Sequence, residues 1–197
     1  MTKLISLCAS LSLILCLAAC QTAPTVQRVD TMETIDLSGR WNDTDSRLVA
    51  EEMISDSLNR PWLMSFVEKN GRKPAVIVGT VINRTHELIS TDTFIRDMER
   101  AFINAGSVRV VQSAEAREQL RDERADQQQF ADPETAKRWR RELGADFMLQ
   151  GVINSIVDTN DREKVIYYQV DLELTDIETN EKVWLGSKKI KKYVSRY

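Results

Sequence analysis

The chain has 197 residues, enough for one domain of ordinary size. Its 27 Lys+Arg against 30 Asp+Glu leave a net charge of -3, which excludes the basic footprint of a dedicated nucleic-acid binder. Hydrophobic residues at 42% and charged residues at 29% support a folded core, while seven glycines and one histidine argue against a Gly-rich phosphate cradle and a histidine-built metal site.

Lys3 gives a short positive start, and Leu4 to Ala19 then runs without a charge. A membrane-spanning helix needs about 20 apolar residues, so this run is short for a span and suits an export signal. It ends in Leu17-Ala18-Ala19-Cys20, which resembles the lipobox of bacterial lipoproteins. The resemblance implies a signal peptide over residues 1–19 and lipidation of Cys20 after its removal. Several acyl chains, at about 0.8 kcal/mol per buried methylene, make such an anchor effectively permanent. Gln21 in place of an aspartate favours delivery to the outer membrane, with the domain facing the periplasm. Cys8 and Cys16 fall in the removed segment, so the mature domain is expected to hold neither disulfide nor thiol nucleophile.

Residues 20–38 lack helical or strand periodicity, contain Pro24, and read as a short tether of at most roughly 60 Å. From Gly39 to residue 197 the pattern is globular. Asp43 or Asp45 is positioned to cap a helix reaching about Leu58, with Val49, Met53, Ile54 and Leu58 on one face. Pro61 suits the first turn of a second helix closed by Asn70-Gly71. Ala75 to Ile82, apolar and β-branched, predicts a strand buried on both faces. Phe94, Met98 and Phe102 at four-residue spacing predict a helix opened by Thr91 or Asp92 and closed by Gly106. A short strand at 108–111 follows, then a polar helix from Ala114 to about Gln127 capped by Ser113. Asp132-Pro133 is read as the start of a further helix carrying Trp139 and Leu143 and stopped by Gly144. Phe147 to Val157, the alternating Ile166 to Leu174 and Val183 to about Ile190 close the chain as an antiparallel meander. The order ααβαβααβββ predicts an α/β (α+β) domain, a single mixed sheet of four to five strands flanked by helices.

Several motifs now line up: the lipobox, Leu37-Ser-Gly-Arg-Trp-Asn-Asp-Thr-Asp45, Val81-Ile-Asn-Arg-Thr85, Glu142-Leu-Gly-Ala-Asp-Phe147 and Thr179-Asn-Glu-Lys-Val-Trp-Leu-Gly186. In order and spacing the chain resembles the LpoB family of outer-membrane lipoproteins, which activate penicillin-binding proteins. The resemblance spans nearly all of residues 37–192. It implies a fold like the TolB N-terminal domain and a regulator that docks on a bifunctional class A penicillin-binding protein. The best-known members carry a long Pro-rich tether; here the segment is short and Pro24 is its one proline. Either the synthase supplies much of the span, or the partner lies nearer the outer membrane.

Candidate partner-binding residues are Arg40 and Trp41, Asn83 and Arg84, and Lys188, Lys189, Lys191 and Lys192. Trp and Arg are enriched at interface hot spots, but Trp41 equally suits packing under the first helix. Asn83-Arg84-Thr85 ends a strand, where ligands often bind; the alternative is a turn held by side-chain hydrogen bonds, with Arg84 paired to an acid such as Glu87. The C-terminal lysines suit an acidic docking patch, peptidoglycan carboxylates or lipid head groups, or else protect an edge strand. Asp43 and Asp45 are better read as caps than as metal ligands. No G-x-S-x-G, H-E-x-x-H or Walker sequence is present, so no enzyme, cofactor or small-molecule substrate is expected. The alternative function is a structural envelope lipoprotein of the same fold, assembling a secretion channel or surface appendage.

Overall fold

The structure is a computed structural model that describes residues 25–137 and 141–195. It divides into two units, one ending at Glu33 and one spanning Thr34–Tyr197. In the first, the described residues are exposed and without regular structure, apart from one turn in which Asp30 accepts from the Met32 and Glu33 backbone amides. The lipobox and Cys20 lie outside the described residues.

The second unit opens with helix α1 (Asp43–Leu58). Its cap is Asn42, not Asp43 or Asp45 as the sequence suggested. The Asn42 side chain accepts from the Asp45 amide at 3.0 Å, and Asp45 accepts from the Asn42 amide at 3.0 Å. This reciprocal pair satisfies two amides of the first turn, which a lone Asp could not. Helix α2 (Pro61–Asn70) starts on proline, and Gly71 ends it with φ 63°, a left-handed conformation that glycine adopts without strain.

Strand β1 (Ala75–Arg84) is buried on both faces only as far as Val78. Beyond a bulge between Val78 and Val81 it alternates, and Ile82 is 48% exposed, because no helix covers that side. Helix α3 (Thr91–Ala105) places Phe94, Met98 and Phe102 wholly in the core. Strand β2 (Arg109–Val110) is short, and helix α4 (Ala114–Phe130) buries none of its residues. Ser113 sits at the N-cap of α4, but its side chain makes no capping bond.

The helix expected from Pro133 to Leu143 is replaced, in the described residues, by one turn and a stretch without regular structure. Asp132 accepts from the Thr135 and Ala136 amides, and Lys137 folds back onto Gln127 and Gln128 of α4. Glu142 is drawn to Arg121 and Arg124 of α4, which ties this irregular stretch to that helix. Trp139 lies outside the described residues.

Strands β3 (Phe147–Thr159), β4 (Glu163–Asp176) and β5 (Lys182–Ser195) complete a mixed, curled sheet in the order β2-β1-β3-β4-β5. β1 runs parallel to β2 and β3, and β3, β4 and β5 are antiparallel. On β4 the predicted alternation is present: Ile166, Tyr168, Val170, Leu172 and Leu174 are buried, while the opposite face is half-buried. α1 and α3 pack together, α3 against β1 and α1 against β5. The core lies between these helices and one face of the sheet. The other face carries exposed apolar side chains on β1, β3 and β5. Among the described residues no helix is long and apolar enough to cross a membrane.

Candidate docking surface

The motif around Gly39 is a clasp that fastens the start of the domain to the sheet. Lys192 on β5, with 12% of its side chain exposed, donates to Asp36 at 2.8 Å, Asp45 at 2.6 Å and the Arg40 carbonyl at 3.1 Å. Burial alone would lower the Lys192 pKa; hydrogen bonds to Asp36 and Asp45 outweigh it and hold the ammonium above its ordinary value. The hydrogen bond from Lys192 holds Asp36 below the usual carboxylate range. Beside it, Tyr168 donates to Glu87 at 2.7 Å, and Glu87 also accepts from the Trp41 amide at 3.0 Å. Burial, then the Glu87 carboxylate, push the Tyr168 phenol well above its ordinary pKa. Trp41 is half-buried, edge-on to both Phe94 and Tyr168, and its indole N–H donates to Ser46 at 2.7 Å. The indole thus packs beside the first helix, and both its donors are used. Arg40 is exposed.

The other motifs also hold the fold. Asp146 accepts from Arg72 twice, at 2.7 and 2.8 Å, and from the Ala75 amide at 2.7 Å, tying the start of β3 to the start of β1. Burial would raise its pKa, but Arg72 and the amide outweigh burial and hold it low. Asp176 accepts from the Glu178 and Thr179 amides, and Asn180 takes φ 60°, which turns β4 into β5. The Trp184 indole donates to Asp56 at 2.8 Å, joining β5 to α1. Asn83 closes its own loop: its amide donates to the Glu87 carbonyl at 2.8 Å, and its oxygen accepts from the Thr85 amide and hydroxyl. Glu87 is engaged by Trp41 and Tyr168, so it is not the partner of Arg84.

Side chains on a strand alternate between faces, and this divides the four lysines. Lys188 and Lys192 lie on the helix side, where Lys188 pairs with Glu52 of α1 and Lys192 with the clasp. Lys189 and Lys191 point the other way and are exposed. On that open face, strand pairing sets Lys189 beside Gln169, Gln169 beside Asn154, and Asn154 beside Arg84. Arg84, at the end of β1, and Lys189, on the edge strand, therefore share one transverse row. At about 4.8 Å per strand they stand roughly 14 Å apart. The next row sets Lys191 beside Tyr167 and Ile156. Among the described residues, Arg84, Lys189 and Lys191 form no ion pair.

Next to the row is a groove of about 540 Å³, floored by Val152 and bounded by Ile82 and Leu185. Leu185 is 68% exposed. The sequence reading did not single out Ile82, Ile156 or Leu185, although their odd or even place in each strand puts them on this face. The nearest acids are engaged: both Asp171 oxygens accept from Gln169, and Glu173 pairs with Lys182. Of the residues singled out from the sequence, the structure brings together Arg84, Lys189 and Lys191. It places Arg40, Trp41 and Lys192 at the clasp, Asn83 in its loop and Lys188 against Glu52 of α1. Among the described residues, no three His, Cys, Asp or Glu stand close enough to hold a metal ion.

Among curated proteins no match was found. The chain is similar in structure to the LpoB C-terminal domain from Salmonella enterica, with 18% identity, 75% of this chain and 99% of that one covered, and a TM-score of 0.42. It is similar to E. coli LpoB solved by NMR, with 16% identity, coverage of 88% and 87%, and a TM-score of 0.43. Lipoprotein GNA1162 from Neisseria meningitidis is similar at 14% identity, coverage of 61% and 83%, and a TM-score of 0.41. A family model described as the peptidoglycan-synthase activator LpoB matches residues 45–190, about three quarters of the sequence, and the chain therefore belongs to the LpoB family.

Proposed function

We propose that this protein is an outer-membrane lipoprotein, anchored through Cys20, whose periplasmic domain binds a class A penicillin-binding protein and stimulates peptidoglycan synthesis without catalysing a reaction itself. Residues 1–19 are the signal peptide, 20–38 the lipidated start and tether, and 39–197 the activating domain. The observation that carries this reading is the family match over residues 45–190. The Leu17-Ala18-Ala19-Cys20 sequence supports the anchor. A domain that acts by docking shifts the synthase only as far as it binds the active conformation more tightly than the inactive one.

Two measurements test the reading. Radiolabelled palmitate should enter the wild-type protein and not Cys20→Ser, and the variant should leave the membrane fraction. Purified lipoprotein should raise the glycan polymerisation rate of a class A synthase in detergent. A chain that takes no palmitate, or that leaves every such synthase unchanged, overturns the proposal. A stable high-order ring of the mature protein with no effect on synthesis would point instead to a structural role in a secretion channel or appendage.

A further inference from the structure

We infer that the open face of the sheet is the docking surface, and that it receives an acidic protein surface of the synthase with an apolar side chain seated in the groove beside Leu185. The inference rests on the function proposed above and adds the face and the chemistry of the partner.

Three observations converge. The chain is net negative, yet Arg84, Lys189 and Lys191 stand together, exposed and outside any ion pair among the described residues. By contrast, Lys188 and Lys192 on the same strand are paired. Unpaired cations on an acidic protein attract acidic partners and steer their approach.

Around these cations lie apolar side chains that folding does not need. Leu185, Ile156 and Tyr193 are each more than half exposed, and Ile82 nearly so. Together with the groove of about 540 Å³ they form an apolar patch rimmed by charge, which marks an interaction site. The groove is wide enough for one large side chain and is lined chiefly by apolar and small residues. Apolar anchors argue for a protein partner over a purely anionic polymer or head group, which would use the cations alone.

A second copy of this chain is the wrong occupant. A two-fold contact through this face would set the cationic row against itself, since such an interface applies the same patch twice. Of the nearby acids, Glu173 is neutralised by Lys182; Asp171, held by the uncharged Gln169 amide, and the exposed Asp158 keep their charge but do not balance the three cations of the row.

The experiment uses the full mature lipoprotein in detergent with a solubilised class A synthase, and reads the Kd and association rate at low and raised salt. The triple variant Arg84→Glu, Lys189→Glu, Lys191→Glu should weaken binding at least about tenfold and remove most of the salt dependence of association. Leu185→Ser should weaken binding several-fold while the salt dependence stays. Near-ultraviolet circular dichroism should show both variants folded, because these side chains are exposed. Wild-type binding with an unaffected, folded triple variant overturns the docking face and leaves the proposed function standing. No wild-type binding overturns both. If the triple variant loses retention on peptidoglycan sacculi or anionic vesicles but still binds the synthase, the protein partner is wrong.

Discussion

Asp146→Ala removes the carboxylate that joins the starts of β1 and β3. The Ala75 amide loses its acceptor at 2.7 Å, and a part-buried donor left unpaired costs about 1–3 kcal/mol. Two bonds to Arg72 go as well, but that guanidinium is 46% exposed, so solvent screening leaves the pair the minor part of the loss. The total is roughly 1–3 kcal/mol, which for a domain of this size lowers Tm by about 2–12 °C. Arg72→Ala should cost only the smaller part, and Asp146→Asn, which keeps an acceptor for Ala75, should recover about half of the loss. The assay is urea unfolding of the mature, unlipidated chain. The folded pKa of Asp146 lies below its unfolded value of about 3.9, so its contribution is complete above that pH. It is lost as pH falls through the folded value; the gap between wild type and Asp146→Ala should be constant near neutrality and close in acid. Equal costs for Arg72→Ala and Asp146→Ala, or a gap that widens in acid, would refute the reasoning.

Lys192→Met leaves Asp45 buried without its cation and frees the Arg40 carbonyl; a loss of about 2–4 kcal/mol is expected, with tryptic cleavage after Arg40 appearing before the rest of the domain is cut. Tyr168→Phe keeps the ring packing but removes the phenolic O–H, which donates to Glu87 with the Gly39 carbonyl as a second, longer acceptor, and should lower stability by about 1–2 kcal/mol in thermal melts. A Cβ at Gly151 would stand 2.6 Å from the Asp171 carbonyl oxygen and collide with Leu172, so Gly151→Ala should destabilise by about 1–3 kcal/mol. Gly144 has nothing within 4 Å and no positive φ, so Gly144→Ala should be neutral or slightly stabilising in the same melts.

The strands and α3 were legible because one short-range rule governs each. Phe94, Met98 and Phe102 repeat at helical spacing, and Ile166 to Leu174 alternate, so burial follows periodicity. The failures have long-range causes. Pro133 is a sound helix start locally, but the chain folds back onto α4, and Glu142 is taken by two arginines about twenty residues earlier. Local sequence offers Asp43 and Asp45 as caps, and only the geometry shows that the Asn42 oxygen is the one that reaches the Asp45 amide. The four lysines of β5 read as one basic cluster. Strand parity was enough to separate Lys188 and Lys192, which share the side of Trp184 and Ile190, from Lys189 and Lys191. What sequence could not supply was that Glu52, Asp36 and Asp45, more than 130 residues away, consume the first two. Most residues of the resemblance motifs fasten the fold, and among them Ile82, Arg84 and Leu185 reach the open face, so the motifs identified the family more clearly than the surface.

The clasp at Lys192 has a mechanical side. The polypeptide enters the domain at Asp36, whose carboxylate is gripped by the Asn42 side-chain amide at the cap of α1 and by an ammonium on the outermost strand, itself zipped to β4 along nearly its whole length. Tension arriving from the N-terminal side would be divided there between that strand and the cap of α1. A taut leash would then tug on the very ribbon that displays Lys189 and Lys191, so stretching and grip on a neighbour would share one piece of backbone.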